Sequence, residues 1–261
     1  MTAMECTVPV EGGEVWAEDT GGEGLPLVLL HPGVSASSVW DTILPTLAAH
    51  HRVIRYDVRG FGRSPAPGGP YSLAGDLLAV LDHFDVGRAV LVGSSMGGAT
   101  ALSLAVDAPA RVAGLALFCP GVTGDPALES TELLDRITEL AQQGDLDGMV
   151  SLGLRTWAAA GTGEDPEAAA HIRAAIPGWF NNLGHQMPDP DAFGRLGEIA
   201  VPCLLALGEH DQELVIRSNE AVAARIPGCR LVRLAASDHF PSLREPERVA
   251  RLTLELYDSV G

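Results

Sequence analysis

The sequence predicts an α/β protein: a mostly parallel, twisted sheet of about eight strands flanked by helices, with an inserted helical lid. Three observations carry this. Short, wholly apolar runs recur along the chain and read as strands buried on both faces. Helical patterns separate them, as right-handed βαβ crossovers require. One long interval, residues 121–200, has no strand-like run, and a structureless loop of that length is improbable in a compact domain.

Runs near 6–10 and 15–18, divided by Gly12-Gly13, read as a hairpin added antiparallel at the sheet edge. Residues 27–30, 53–56, 89–92, 114–118, 203–207 and 231–234 supply the interior strands. Helical patterns span 39–49, 73–84 with Ser72 as N-cap, 99–106 and 245–257, the last with Pro246 where a first helical turn tolerates it. Inside the long interval, Asp125-Pro126 and Asp165-Pro166 each read as an N-cap followed by proline at the first helical position. Gly144 closes the first lid helix and Asp145 caps a second running towards Trp157. The expected organisation is a core of 1–120 and 201–261, with 121–200 as the lid.

The net charge of −17 includes no lysine, every cation being arginine, so Schiff-base chemistry on a lysine is excluded. An acidic chain also lacks the basic face that nucleic acid or an anionic membrane demands. The four cysteines show no Cys-x-x-Cys spacing, the first fourteen residues lack a secretory pattern, and no apolar run reaches the roughly 18 residues of a membrane span. A cytoplasmic monomer or homodimer acting on a small molecule is expected, with no nucleic-acid or membrane partner.

The chemistry centres on Gly93-Ser94-Ser95-Met96-Gly97, which follows an apolar strand and precedes a helix. A sharp strand-to-helix turn needs glycines where the backbone folds on itself, and it holds the serine hydroxyl clear of the sheet. Serine is inert near neutral pH without a base, and the base needs an acid to orient it. His239 lies just past the last strand, and Asp211 just past the strand at 203–207, both at the carboxyl edge where open α/β sheets keep their sites. His210 is the local rival base, Glu209 and Asp238 the rival acids; His50, His51, His83 and His171 fall in helical patterns and read as solvated. An oxyanion needs donors: the N–H of Met96, and one from His31-Pro32-Gly33-Val34, where Pro32 has no N–H, leaving Gly33 or else Val34. Expected substrate contacts are Val34, Trp157, Trp179, Phe180 and Phe240, with Met187 and Phe193 as further apolar and Asn181 or His185 as polar candidates. Cys119 and Pro120 are expected at the pocket floor. No metal or organic cofactor is expected.

These segments, with Tyr56-Asp57-Val58-Arg59-Gly60-Phe61-Gly62-Arg63-Ser64, Gly208-Glu209-His210-Asp211 and Asp238-His239-Phe240, resemble the α/β-hydrolase superfamily along essentially the whole chain. The resemblance implies that Asp57, Arg59 and Gly60 brace the sheet edge rather than react. Two departures stand out: family members usually carry His-Gly where this chain has His31-Pro32, and Gly-His where it has Asp238-His239. The second places a carboxylate beside the base, to raise its pKa or to face solvent. Epoxide hydrolases and haloalkane dehalogenases share the layout but have Asp at the position of Ser95. A serine implies acyl transfer from an ester, lactone or thioester to water. Carbon–carbon bond hydrolysis, a lyase, cyclase or oxygenase reaction, or a ligand receptor on the same scaffold are the alternatives.

Overall fold

A computed structural model describes residues 3–128, 132–161 and 165–260. Eight strands form one sheet in the order β1-β2-β4-β3-β5-β6-β7-β8. In chain order the elements begin with β1 (Met4–Val10), β2 (Gly13–Asp19), β3 (Leu27–Leu30), α1 (Leu44–Ala48), β4 (Val53–Tyr56) and α2 (Leu73–His83). They continue with β5 (Ala89–Ser94), α3 (Met96–Asp107) and β6 (Val112–Phe118), then α4 (Glu132–Gln142), α5 (Leu146–Trp157) and α6 (Pro166–Asn181). The chain closes with β7 (Cys203–Gly208), α7 (Glu213–Arg225), β8 (Arg230–Leu234), α8 (Pro241–Arg244) and α9 (Pro246–Asp258). The first hairpin pairs antiparallel and the strands from β4 onward are parallel.

Because side chains alternate across a strand, β3 sends Val28 and Leu30 to one face and Leu27 and Leu29 to the other. The first pair joins Leu77 of α2, Leu102 of α3 and Val222 of α7. The second joins Leu47 of α1 and Leu252 and Leu256 of α9. Helices thus cover both faces, which is why the strands could be apolar throughout. Strand order reverses at β3, which lies between β4 and β5, opening a crevice at the carboxyl ends of β3 and β5.

Two expected helices differ from expectation. The 39–49 segment is a short 3₁₀ turn, Ser37–Trp40, followed by α1, because Pro45 has no N–H with which to continue an α-helical ladder back to Asp41. Asp125-Pro126 opens only a 3₁₀ turn, Pro126–Leu128, and α4 starts at Glu132. The Asp125 carboxylate caps Ala127 N–H at 3.0 Å but also accepts from Ser218 Oγ of α7 at 2.5 Å, a pull that no local pattern encodes. Ser72, Asp145 and Asp165 cap their helices as the sequence suggests. No helix among the described residues is long and apolar enough to cross a membrane.

The loop after β4 braces this edge. Asp57 accepts from Ser37 N–H at 2.7 Å and Arg63 N–H at 2.9 Å. Arg59, 1 % exposed, forks onto Asp76 of α2 at 2.6 and 2.8 Å and lies over the Tyr71 ring. Burial pushes the Asp76 carboxyl up, against the opposing pull of that guanidinium. Truncating Asp76 to alanine strands a buried cation, and we expect a loss of about 3–5 kcal/mol in denaturant unfolding. Unchanged stability would show that the pair does not hold this edge.

Candidate active site

The turn after β5 is built by exclusion. A Cβ on Gly93 would lie 2.5 Å from Gly97 O, one on Gly97 2.2 Å from Leu30 O, and one on Gly98 2.5 Å from the Pro120 Cβ. Only glycine lets α3 settle so closely on β3 and on the end of β6. At the apex Ser95 is forced to φ 48°, ψ −113°, a conformation costing about 1–3 kcal/mol. It is held by Ser95 N–H donating to Phe118 O at 3.3 Å, and by its own carbonyl accepting from Ala99 and Gly121 N–H, both at 2.9 Å.

The three residues expected to cooperate meet. Ser95 Oγ lies 2.8 Å from His239 Nε2, and His239 Nδ1 lies 2.6 Å from Asp211 Oδ2. The Nδ1–H donates to the carboxylate, which leaves Nε2 to accept from the serine hydroxyl. Gln212 N–H donates to the other Asp211 oxygen at 2.7 Å and fixes the carboxylate plane. Asp211 and His239 are 9 % and 4 % exposed, whereas Ser95 is half-buried and reachable. Burial disfavours the imidazolium, but the charge and hydrogen bond of Asp211, and then the charge of Asp238, outweigh it and raise the His239 pKa. The rivals His210 and Glu209 point to solvent.

The loop after β3 reaches the same place because β3 lies beside β5, with Leu30 paired to Gly93. His31 is buried and neutral in character, its pKa lowered by desolvation. Val58 N–H donates to its Nε2 at 3.0 Å, so the proton sits on Nδ1, which donates to Pro32 O at 2.9 Å. Ser35 N–H also donates to Pro32 O, at 3.2 Å. With that carbonyl tied inward, the Gly33 N–H of the same planar peptide points the opposite way. The next carbonyl, Gly33 O, accepts from Trp179 Nε1 of α6 at 2.7 Å, which turns the Val34 N–H away from that cavity-lining ring. Met96 N–H, at the first position of α3, is one of the donors a helix N-terminus leaves without an intrahelical partner.

A cavity of about 380 Å³ opens on Ser95, lined by Gly33, Val34, Met96, Trp157, Trp179 and Phe180, with Leu133, Leu134, Ile137, Thr138 and Leu183. A second hollow of about 350 Å³ shares Gly33, Met96, Trp179 and Leu183 and adds Phe61, Asn182 and Gln186. Another hollow of about 490 Å³, around Glu18, His50, His51 and Arg52, contains none of the expected site residues.

Several expectations are corrected. Phe240 is 1 % exposed and packs against His171 in the core, lining neither hollow; in a tight loop the neighbour of a site residue faces the opposite way. Cys119 is fully buried at φ 44°, accepting from Gly208 N–H, and is no part of the cavity lining. Its sulfur and the ligand atoms of Asp211 and His239 lie within 4.8 Å of one another, but both His239 nitrogens are already engaged. His171 is not solvated: it is half-buried and bonded to Ser35 Oγ at 2.8 Å. Asn181 and Met187 are exposed, Phe193 lies under the Arg225 guanidinium, and with His185 they stand outside both hollows. Missed by the sequence were the wall residues of α4, whose only signal was an amphipathic stripe, and Asn182. Its amide donates to Arg59 O and accepts from Tyr71 OH, pinning α6 to the loop after β4.

We expect Gly97→Ala to lose about 2–3 kcal/mol in denaturant unfolding, since backbone rather than a yielding side chain opposes the new methyl. Wild-type stability in that variant would show the contact to be loose.

Known proteins resemble this chain in sequence and in fold. The 2-hydroxy-6-oxo-2,4-heptadienoate hydrolase of Pseudomonas putida is 40 % identical over 123 residues, a match spanning 44 % of this chain and 44 % of that protein, less than half of either. Rhodomycin D methylesterase of Streptomyces peucetius is 28 % identical over 274 residues, covering 90 % of this chain and 92 % of the relative. The crystal structure of the enol-lactonase from Burkholderia xenovorans superposes with a TM-score of 0.83 at 26 % identity, covering 97 % of this chain and all of that one. The profile of the alpha/beta hydrolase fold matches residues 26–167. With the eight-stranded sheet, the turn at Ser95 and these matches together, the chain belongs to the α/β-hydrolase family.

Proposed function

We propose that the protein is a serine hydrolase that transfers the acyl group of an uncharged, small to medium apolar ester, lactone or thioester to water. The observation that carries this is the hydrogen-bonded line Ser95–His239–Asp211 opening into an apolar cavity. His239 takes the Ser95 proton as Oγ attacks the carbonyl, and Asp211 holds the tautomer and steadies the imidazolium. The N–H groups of Met96 and Gly33 receive the oxyanion; the tied-back Pro32 carbonyl supports Gly33 over Val34 for this role. His239 then returns the proton to the leaving group, and water, deprotonated by the same imidazole, releases the acid. In this reading 121–200 acts as the lid, with Trp157, Trp179 and Phe180 contacting the substrate.

The cavity lining bears on substrate choice. Among the described residues around it none is charged, and Thr138 is the one lining side chain besides Ser95 and the tryptophans that offers a hydrogen bond. A carboxylate-bearing substrate, such as the dienoate in the name of the Pseudomonas putida relative, would be desolvated there without a cationic partner, a costly transfer. This favours esters and lactones over carbon–carbon cleavage of anionic diketones.

The test is a panel of p-nitrophenyl esters, lactones and thioesters assayed on wild type and Ser95→Ala. We expect the variant to lose at least about 10³-fold in kcat; equal rates for the two proteins would remove Ser95 as nucleophile. A neutral acyl group should be cleaved at least about tenfold faster than its ω-carboxylate analogue of equal length. A preference for the anion would overturn the substrate class. Since the base must be neutral and its pKa is raised, activity should climb with pH through an acid limb lying above about 6.5. A limb below that value would contradict the arrangement of the carboxylates.

A further inference from the structure

The residue before the base is a second buried carboxylate, and it has a task of its own. Asp238 is fully buried. Its Oδ1 accepts from Phe240 N–H at 2.9 Å, and its Oδ2 from Ala160 N–H at 3.0 Å and Arg244 Nε at 2.9 Å. Arg244, in α8, continues the line: its Nη2 donates to Asp165 Oδ2 at 2.5 Å. Asp165 in turn caps α6, its Oδ1 accepting from Ala168 N–H at 3.1 Å. It does so at φ 35°, a left-handed conformation that a non-glycine residue keeps only when its contacts hold it there. Beside it, a Cβ on Gly161 would lie 2.1 Å from Asp165 Oδ2 and 2.9 Å from Arg244 Nη2, so the backbone is cut away to admit the pair. One more bond completes the junction: His239 N–H donates to Trp157 O, a carbonyl at the end of α5, at 3.1 Å. Trp157 and Ala160 therefore hold the base loop directly and Asp165 holds it through Arg244, and the same Trp157 supplies cavity wall through its ring.

We propose that Asp165, Arg244 and Asp238 form a strut that seats the His239 imidazole against Ser95, making Asp238 and Arg244 positioning residues through which the insertion controls the base. This rests on His239 being the base of the proposed reaction. A surface pair would be worth little, but here Asp238 has no exposure and Arg244 little, so the geometry is fixed by desolvated, charge-assisted hydrogen bonds. The strut also explains why a carboxylate replaces the glycine usual before the base: it anchors the insertion rather than facing solvent. The ionisable groups around His239 among the described residues are Asp211 from the loop after β7, Asp238 in its own loop and Cys119 at the end of β6, with Asp165 and Arg244 acting through Asp238. Of these, Asp211 and then Asp238 favour the imidazolium.

The decisive variant is Asp165→Asn. Asparagine keeps the cap on α6, but an amide NH₂ in place of Oδ2 meets the Arg244 guanidinium donor to donor, so the cap survives while the strut is cut. We expect near wild-type folding, a kcat about 5- to 30-fold lower and a KM for a short ester within about twofold, the pattern of a displaced base rather than a lost binding contact. Arg244→Met should fall at least as far, with Arg244→Lys restoring part of the loss. Asp238→Asn should lower the His239 pKa, read by imidazole NMR titration and by the acid limb of kcat/KM, because a charge favouring the imidazolium is removed. Wild-type kcat in both Asp165→Asn and Arg244→Met, in an enzyme that Ser95→Ala inactivates, would overturn the strut and leave the hydrolase reading intact. Activity that survives Ser95→Ala would instead sink the hydrolase reading. The His239 ring then decides the strut by itself: imidazole NMR signals unmoved in both Asp165→Asn and Arg244→Met overturn it, and displaced ones support it.

Discussion

Everything at this site depends on the close approach of α3 to the ends of β3 and β6. Three glycines give up their side chains so that backbone can touch backbone, and the serine between them takes the strain. The contact of Gly97 with the Leu30 carbonyl does double duty. It seats the helix whose N-terminus presents the Met96 N–H, and it fixes that helix against the strand that leads into Gly33. The Ser95 hydroxyl and the Met96 and Gly33 peptides are therefore placed by one packing event. His239 and Asp211 join from the loops after β8 and β7, whose carboxyl ends lie on the same edge of the sheet.

Charge is distributed in a way that complements this. The chain is strongly acidic and its only cations are arginines, yet several of those arginines are turned inward onto carboxylates. Arg59 ties α2 to the loop after β4, Arg55 of β4 and Arg52 just before it reach the carboxylates of β2, and Arg244 joins Asp238 to Asp165. A planar guanidinium can fork onto one carboxylate or bridge two, which suits loop anchoring better than a lysine's point charge. The cavity itself is left to aromatic and aliphatic side chains. Buried ion pairs thus surround the site, and apolar surface lines the cavity within it.

The elements that could be read locally were those whose pattern has one physical solution. An apolar run of four or five residues between turn signals has little choice but a covered strand, and Ser72, Asp145 and Asp165 cap helices through bonds only three residues long. The misreadings arose where a distant partner intervened. Asp125 is drawn towards Ser218 on α7, and His171 towards Ser35 in the loop after β3, neither of which periodicity can reveal. Phe240 was drawn into the site by its neighbour in sequence, although consecutive side chains in a turn seldom share a direction.

By itself the sequence determined the order of strands and helices, the strained turn at Ser95, and the identity of the serine, histidine and acid at the sheet's carboxyl edge. These follow from hydrophobic periodicity, glycine placement and the order of three reactive residues, all carried along one dimension of chain. Tertiary structure alone decided which residues of α4 share a cavity with the tryptophans, which carbonyls of the loop after β3 are tied back, and which partners the buried Asp238 finds. Each of those depends on a hydrogen bond or contact between segments far apart in the chain, Trp179 with Gly33 or Arg244 with Asp165, and such partners are chosen by packing rather than by any local pattern.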